Sequence, residues 1–185
     1  MEFVEFQKIA RLSREIVITE KIDGTNAQIC ITPAGQFLVG SRTRWITPDD
    51  DNFGFARWAY ENKDELMQLG EGSHFGEWWG QGIQRKYDLD EKRFSLFNTA
   101  RWGDDGKEVR PACCHVVPVL ANCNFDMITI NIVMQMLREE GSQASPGFMK
   151  PEGIVIWHEA ARQLFKKTLE KDEVPKALQN ATPQR

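Results

Sequence analysis

No stretch of this 185-residue sequence approaches the ~20 consecutive apolar residues of a membrane-spanning helix. The opening residues, MEFVEFQKIARLSREI, carry charge throughout and lack the apolar centre of a secretion signal. These absences lead to the expectation of a cytoplasmic protein that does not engage a membrane. Cysteine is scarce: Cys30, Cys113, Cys114 and Cys123 fit no common zinc spacing, and adjacent cysteines rarely bridge each other. Reduced structural thiols are the expected reading, while His115 beside Cys113 and Cys114 leaves a metal site open. The three histidines, His74, His115 and His158, share no consistent spacing, and none is assigned to a metal. No large excess of one charge sign exists either. A net charge of −4 excludes a strongly basic nucleic-acid coat but permits a local basic groove. Repeats, low-complexity tracts and long linkers are also missing.

What remains has the composition of a globular domain, 41% hydrophobic and 27% charged. The length suits one domain over 1–185, with a short tail over 170–185 that begins as a charged helix. A chain of this size buries roughly two thirds of its unfolded surface and needs no disulfide staples. Apolar alternation predicts strands at 15–20 and 26–32 around a DGT turn, and a third at 36–41 after Pro33-Ala34-Gly35. TPDDDN (47–52) is a break with acidic residues suited to a helix start. Phe55, Trp58, Ala59, Leu66 and Leu69 predict one helix over 53–69, closed by Gly70 and Gly72. Strands follow at 73–79 and 93–98, a turn at 103–108, and a proline-bearing edge strand at 116–120. A helix over 126–140 takes Asp126 as its cap and Gly141 as its stop. Two strands, 153–158 and 162–168, close the pattern. Strands outnumber helices and come in hairpin-like runs, so the expected class is α+β with mostly antiparallel sheets flanked by helices. Within 73–79, alternation predicts one of Trp78 and Trp79 inside and one outside.

One stretch does not fit a plain hairpin. ITEKIDGTNAQICI (18–31) places Lys21 between apolar runs, directly before a turn. Such a lysine is either an ordinary surface residue or a nucleophile, and a nucleophilic amine must be desolvated or set beside other cations to lose its proton. Attack on the α-phosphorus of a nucleoside triphosphate would further need cationic side chains for phosphate oxygens, carboxylates for metal and ribose, and an aromatic for the base. Arg42 in VGSRTRW, Glu77 in HFGEWWG, Phe97 in FSLFN, Glu152 before a strand, and Lys166 and Lys167 in LFKKTLE supply each part. Singly these are weak signals; in this order they are specific.

EKIDGTN resembles motif I of the covalent lysine nucleotidyltransferases, which comprise DNA ligases, RNA ligases and mRNA capping enzymes. The G-T-N is closest to the RNA ligase 2-like family. SR at 41–42 resembles motif Ia, FGEWWG motif III, RFSLFN motif IIIa, PEGIVI motif IV and LFKKTLE motif V, so the resemblance runs from about Glu15 to Glu170. It implies a nucleotidyltransferase core, an ATP-grasp-like ligase fold of two antiparallel sheets with ATP in the cleft between them. It implies Lys21 as the nucleophile that forms lysyl-adenylate, with Glu20 beside the adenine. Asn26 and Arg42 would handle phosphate and the incoming 5′-phosphate end, Glu77 the ribose hydroxyls, and Phe97 the adenine face. Glu152 would hold Mg2+ or Mn2+, and Lys166 would contact the α-phosphate and depress the pKa of Lys21. Asp23 stands at a position that varies in the family. The implied activity is ATP-dependent joining of RNA, or of DNA, with 5′-phosphate and 3′-hydroxyl ends. The family's distribution points to a phage source.

Two departures stand out. The family's motif V often reads K-x-K, whereas this chain has Lys166-Lys167-Thr168; strand alternation favours Lys166 for the site, with Lys167 as the register alternative. With sixteen residues, EKDEVPKALQNATPQR, from the end of motif V onward, the expectation is a nucleotidyltransferase core without an OB-fold or helical module, whose nucleic-acid grip comes from a protein partner or from the substrate's own fold. Arg42, Arg44, Arg57, Arg85, Lys86, Lys92 and Arg93 could line a nucleic-acid path, with a solvated charged face as the alternative over 84–93. Competing functions are a DNA nick-sealing ligase, a guanylyltransferase, and a non-catalytic nucleotide- or nucleic-acid-binding module.

Overall fold

The computed structural model describes residues 1–170 and 172. The tail expected over 170–185 lies outside these residues, except for Glu170 and Asp172.

Strand β1 (Glu15–Lys21) shows what its alternation predicts: Ile16, Ile18 and Glu20 are buried on one face, and Val17, Thr19 and Lys21 lie on the other. Further along, the chain forms β2 (Thr25–Ile31), β3 (Phe37–Ser41) and β4 (Trp45–Ile46), then helices α1 (Phe55–Glu61) and α2 (Lys63–Leu66). It continues as β5 (Gly72–Gly80), β6 (Lys92–Leu96), the short α3 (Thr99–Trp102), β7 (Cys114–Val116) and β8 (Val119–Asn124). Helix α4 (Met127–Glu140), β9 (Gly153–His158) and β10 (Gln163–Thr168) complete it. The order β10-β9-β1-β8 makes a four-stranded sheet, and β4-β3-β2-β5-β6-β7 a six-stranded one. All pairings are antiparallel except β6 with β7. The class is α+β, two mostly antiparallel sheets flanked by helices, as the patterning predicts.

Each sheet has its own core. Ile130, Val133, Met134 and Leu137 of α4 pack on Ile16, Ile18, Ile154 and Ile156. Asp126 accepts hydrogen bonds from the Ile128 and Thr129 amides and starts that helix as expected. Ala27, Ile29, Ile31, Phe37 and Val39 pack on Phe55, Ala56, Ala59, Leu66 and Leu69. The Asp51 carboxylate accepts from the Ala56 and Arg57 amides at 2.7 and 3.1 Å, which is the helix-start role anticipated for the acidic break. A third, smaller cluster joins the sheets: Ile22, Trp79, Tyr87, Val117 and Phe148. The chain passes between the sheets at Ile22–Gly24 and at Val117–Pro118, and both passages lie in or beside this cluster. The Val117 amide donates to the Leu96 carbonyl of one sheet, and the Glu20 amide of the other donates to the Pro118 carbonyl.

Three expectations are corrected. The helix over 53–69 is divided into α1, α2 and a 3-10 turn (Met67–Leu69). Asn62 breaks it: its side-chain amide donates to the Trp58 carbonyl at 2.8 Å, competing with the regular ladder. The single strand expected over 116–120 is split: Val116 ends β7, Val117 and Pro118 make the crossing, and Val119 and Leu120 open β8. Trp78 and Trp79 are both buried, because the third cluster covers the face that would otherwise be open at that end of β5.

Candidate active site

Lys21 is the last residue of β1 and pairs across β1–β9 with Gly153, directly after Glu152. Its Nζ donates to Glu152 Oε2 at 2.6 Å, and both side chains are partly open, 23% and 17% exposed. The register of β10 on β9 sets Lys166 opposite Val155 and Thr168 opposite Gly153. Lys166 and Thr168 therefore share the face of Thr19 and Lys21, while Lys167 falls on the opposite face, opposite Ile154. Lys167 also forms an ion pair with Asp172 at 3.5 Å.

The six-stranded sheet supplies the other wall. Asn26 on β2 is the register partner of Glu77 on β5, and its Nδ2 donates to Glu77 Oε2 at 2.9 Å. The Gly24 amide donates to Glu77 Oε1 at 3.0 Å. Burial pushes the Glu77 carboxyl up to about 7, against these two hydrogen bonds and the nearby Lys21 charge, which favour its ionised form. Gly24 is required by space: a Cβ there would stand 2.4 Å from the Trp78 carbonyl oxygen and 2.7 Å from Trp79 Cβ. Phe97 follows β6, with its amide donating to the Phe75 carbonyl, and its ring is exposed rather than part of the core. Arg42 is exposed at the end of β3, just past the Ala27–Ser41 pair, with no hydrogen-bond or ion-pair partner among the described residues.

The structure thus brings Lys21, Glu152, Asn26 and Glu77 together, and puts Lys166, Arg42 and Phe97 on the surrounding faces. Glu20 is different. It is 1% exposed and turned away from Lys21 by strand alternation. Its carboxylate accepts from the Ser142 hydroxyl at 2.6 Å and from the Gln143 and Ala144 amides at 2.8 and 2.9 Å. Burial raises its pKa against those bonds. Its side chain pins the loop after α4 and is not available on the Lys21 face, against the expectation that places Glu20 beside the adenine.

Two further residues hold the Lys21 turn. Tyr87, fully buried, accepts the Asp23 amide on its hydroxyl at 2.8 Å. Arg85 donates from Nε to Asp23 Oδ2 and from a terminal nitrogen to the Lys150 carbonyl, both at 3.0 Å, linking the segments that carry Lys21 and Glu152. Arg85 stood among the basic residues of a possible nucleic-acid path, but it is committed to this bridge. Arg44 is likewise paired with Asp50, Arg93 with Glu91, and Lys92 with the Phe53 carbonyl. In the sequence Tyr87 gave only the general signal that a buried tyrosine needs a hydroxyl partner, and Ser142 gave none. Among the described residues no three His, Cys, Asp or Glu side chains gather as a metal cluster. Cys113 and Cys114 lie with sulfurs 4.0 Å apart, and burial raises both thiols.

The model of a family described as RNA ligase matches residues 14–171. The chain belongs to the RNA ligase family. Among solved structures, this family member is similar to a variant of Naegleria gruberi RNA ligase with ATP and Mn: TM-score 0.61, 18% identity, 88% of this chain and 52% of that one. A second variant, with AMP and Mn, gives 0.61, 19%, 89% and 53%. The same ligase with PPi gives 0.59, 19%, 88% and 53%. At such identities the likeness is one of fold, and the chain spans about half the length of these structures. No curated protein matches it.

Proposed function

We propose that this protein is an ATP-dependent RNA ligase that works through a covalent lysyl-AMP intermediate. The observation that carries the reading is the Lys21–Glu152 pair, 2.6 Å apart, facing the Asn26–Glu77 pair in a chain of the RNA ligase family. The Naegleria ligase structures with ATP, AMP and Mn support the choice of nucleotide and of a divalent cation.

Lys21 Nζ attacks the α-phosphorus of ATP. A P–N bond forms, the bond to pyrophosphate breaks, and the amine releases its proton. The AMP then passes to a 5′-phosphate end, and a 3′-hydroxyl displaces it to seal the strand. Glu77, with both oxygens already ordered by Asn26 and Gly24, is pre-set to accept ribose hydroxyls. Lys166 and Arg42 offer positive charge to phosphate oxygens, and Phe97 offers a face to the adenine. Glu152, a hard oxygen donor partly open to the cleft, suits Mg2+ or Mn2+ and would hold it. Such an ion supplies charge neutralisation at the reacting phosphate. Holding the amine in line with the leaving group is the main task of the protein, more than proton transfer.

The test is intact mass after incubation with ATP and Mg2+. The native protein gains one AMP, about 329 Da, through covalent lysine chemistry, and Lys21→Ala gains nothing. GTP in place of ATP gives no gain, which separates this reading from a guanylyltransferase. If the native protein neither gains AMP nor releases any with pyrophosphate, the reading fails and a binding module replaces it.

A further inference from the structure

One step along the six-stranded sheet from Asn26 and Glu77 lies a row of residues that, Phe97 apart, has no part in the site above. Trp45 on β4 pairs with Gly40 on β3, Gly40 with Gln28 on β2, and Gln28 with Phe75 on β5. Phe97 then continues the row beside Phe75, since Gly76 pairs with Leu96 and the Phe97 amide donates to the Phe75 carbonyl. Cross-strand partners share a face, so this is one line of side chains on the face of Asn26 and Glu77. Its three aromatics are open: Trp45 is 53% exposed, Phe75 54% and Phe97 42%. Between them the floor is low. Trp45 lies against Gly40, where a Cβ would stand 3.2 Å from its ring, and Gln28 is tied flat by its bond to Ser73.

Three aromatics aligned on one open sheet face are costly to leave in water, and such a line marks a contact surface. Among the described residues the core does not use them, and no helix covers them. The row continues directly from the nucleotide-binding row, and Arg42, exposed and unpaired among the described residues, stands one residue past β3 in the turn that leads to Trp45. Open aromatic faces on a sheet, edged by a cation, match the way single-stranded nucleic acid is held: bases stack on the rings and the backbone follows the charge. A duplex offers no such fit, because its bases are already stacked on each other.

We infer that Phe75 and Trp45 form a base-stacking platform for single-stranded RNA adjoining the end to be joined, with Phe97 kept for the adenine of the nucleotide. This rests on the RNA ligase reading and narrows its substrate to an end with unpaired nucleotides. Phe75 lies one strand from Phe97, and Trp45 a further three strand steps away, roughly 14 Å at about 4.8 Å per strand. The platform therefore spans several nucleotides rather than one.

The experiment measures two quantities separately on the full chain: AMP gain by intact mass, and binding of a fluorescein-labelled single-stranded RNA about twelve nucleotides long by anisotropy. Phe75→Ala and Trp45→Ala each weaken RNA binding about tenfold, and Phe75→Tyr and Trp45→Phe retain it. All four gain AMP at the native rate and melt at the native temperature, since both rings are exposed. An oligomer of the same length without bases binds native protein as weakly as normal RNA binds the alanine variants. Equal binding by native and alanine variants, or equal binding of the base-free strand, overturns the platform. So does a native protein that gains AMP but does not bind single-stranded RNA. A native protein that binds through these rings but never carries AMP sinks the ligase reading and leaves the platform standing.

Discussion

Glu77 shows how much one carboxylate's surroundings decide. It is 7% exposed, and its pKa is raised from 4.5 to about 7. In this pH range the folded protein binds more protons at Glu77 than the unfolded chain does. The resulting stabilisation is complete below about 4.5 and is lost as pH rises through about 7. The shift corresponds to about 3 kcal/mol. Urea unfolding of the native protein and of Glu77→Gln at pH 5 and pH 8 checks this: the native protein loses more stability over the interval, by an amount of that order. Equal losses would show that Glu77 titrates normally. Gly24 is as exacting for a different reason. Gly24→Ala drives a methyl group into the Trp78 carbonyl and Trp79 Cβ, both fixed in β5, so relief must come from the Lys21 turn itself. A loss of about 3 kcal/mol is expected, read as a fall in melting temperature together with loss of AMP transfer.

The loop between β5 and β6 does more than connect strands. Gln84, Lys86, Tyr87 and Asp88 all have positive φ, between 43° and 61°, a costly cluster for residues with side chains. In return Arg85 reaches both Asp23 and the Lys150 carbonyl, and Tyr87 reaches the Asp23 amide. Arg85→Gln should therefore slow AMP transfer about tenfold with less effect on the KM for ATP, because it frees the turn that aims Lys21 without removing a nucleotide contact. Arg85→Lys, which keeps one donor to Asp23 but cannot span to Lys150, should fall between. Equal rates in all three proteins would sink the bridge. Such long-range ties mark where the sequence stopped being readable. Strands such as β1 and β9 declare themselves by alternation, because one face is buried under α4 and the other is open. Asp126 and Gly141 bounded α4 through local capping chemistry. Asn62 breaks its helix through a side-chain bond to its own preceding turn, a competition with the ladder that apolar spacing does not report. Pro118 turning between sheets and Trp79 buried on the second face depend on contacts with distant segments. The site divides the same way. Lys21, Glu77 and Glu152 stood out by motif order, and the choice of Lys166 rested on a period of two that the β9–β10 register reproduces. The turning of Glu20 away from Lys21 follows from that same period and could have been read in advance; its partners in the loop after α4 could not.

The walls that carry Lys21 and Glu77 belong to different sheets, and each sheet has an independent core. Their relative position depends on the small cluster of Ile22, Trp79, Tyr87, Val117 and Phe148, through or beside which both chain crossings run. Stability and geometry can thus be separated by where a cavity is cut. Phe148→Ala empties a site against Tyr87, whose ring centroid is 4.6 Å away. Phe55→Ala empties a fully buried site under the six-stranded sheet. Each costs about 3–5 kcal/mol by the usual measure of aromatic truncation in a core. If the joint sets the cleft, the two differ in activity: well below their melting temperatures, Phe148→Ala transfers AMP at least about tenfold more slowly than Phe55→Ala, since a misplacement near 1 Å costs on the order of a hundredfold in rate. Single-turnover AMP transfer, measured beside far-UV circular dichroism at the same temperature, decides it. Equal rates in the two variants, both fully folded, would mean that the sheets hold their positions without the joint, through the hydrogen bonds of Gly24 to Glu77, Val117 to Leu96 and Glu20 to Pro118 and the bridge of Arg85.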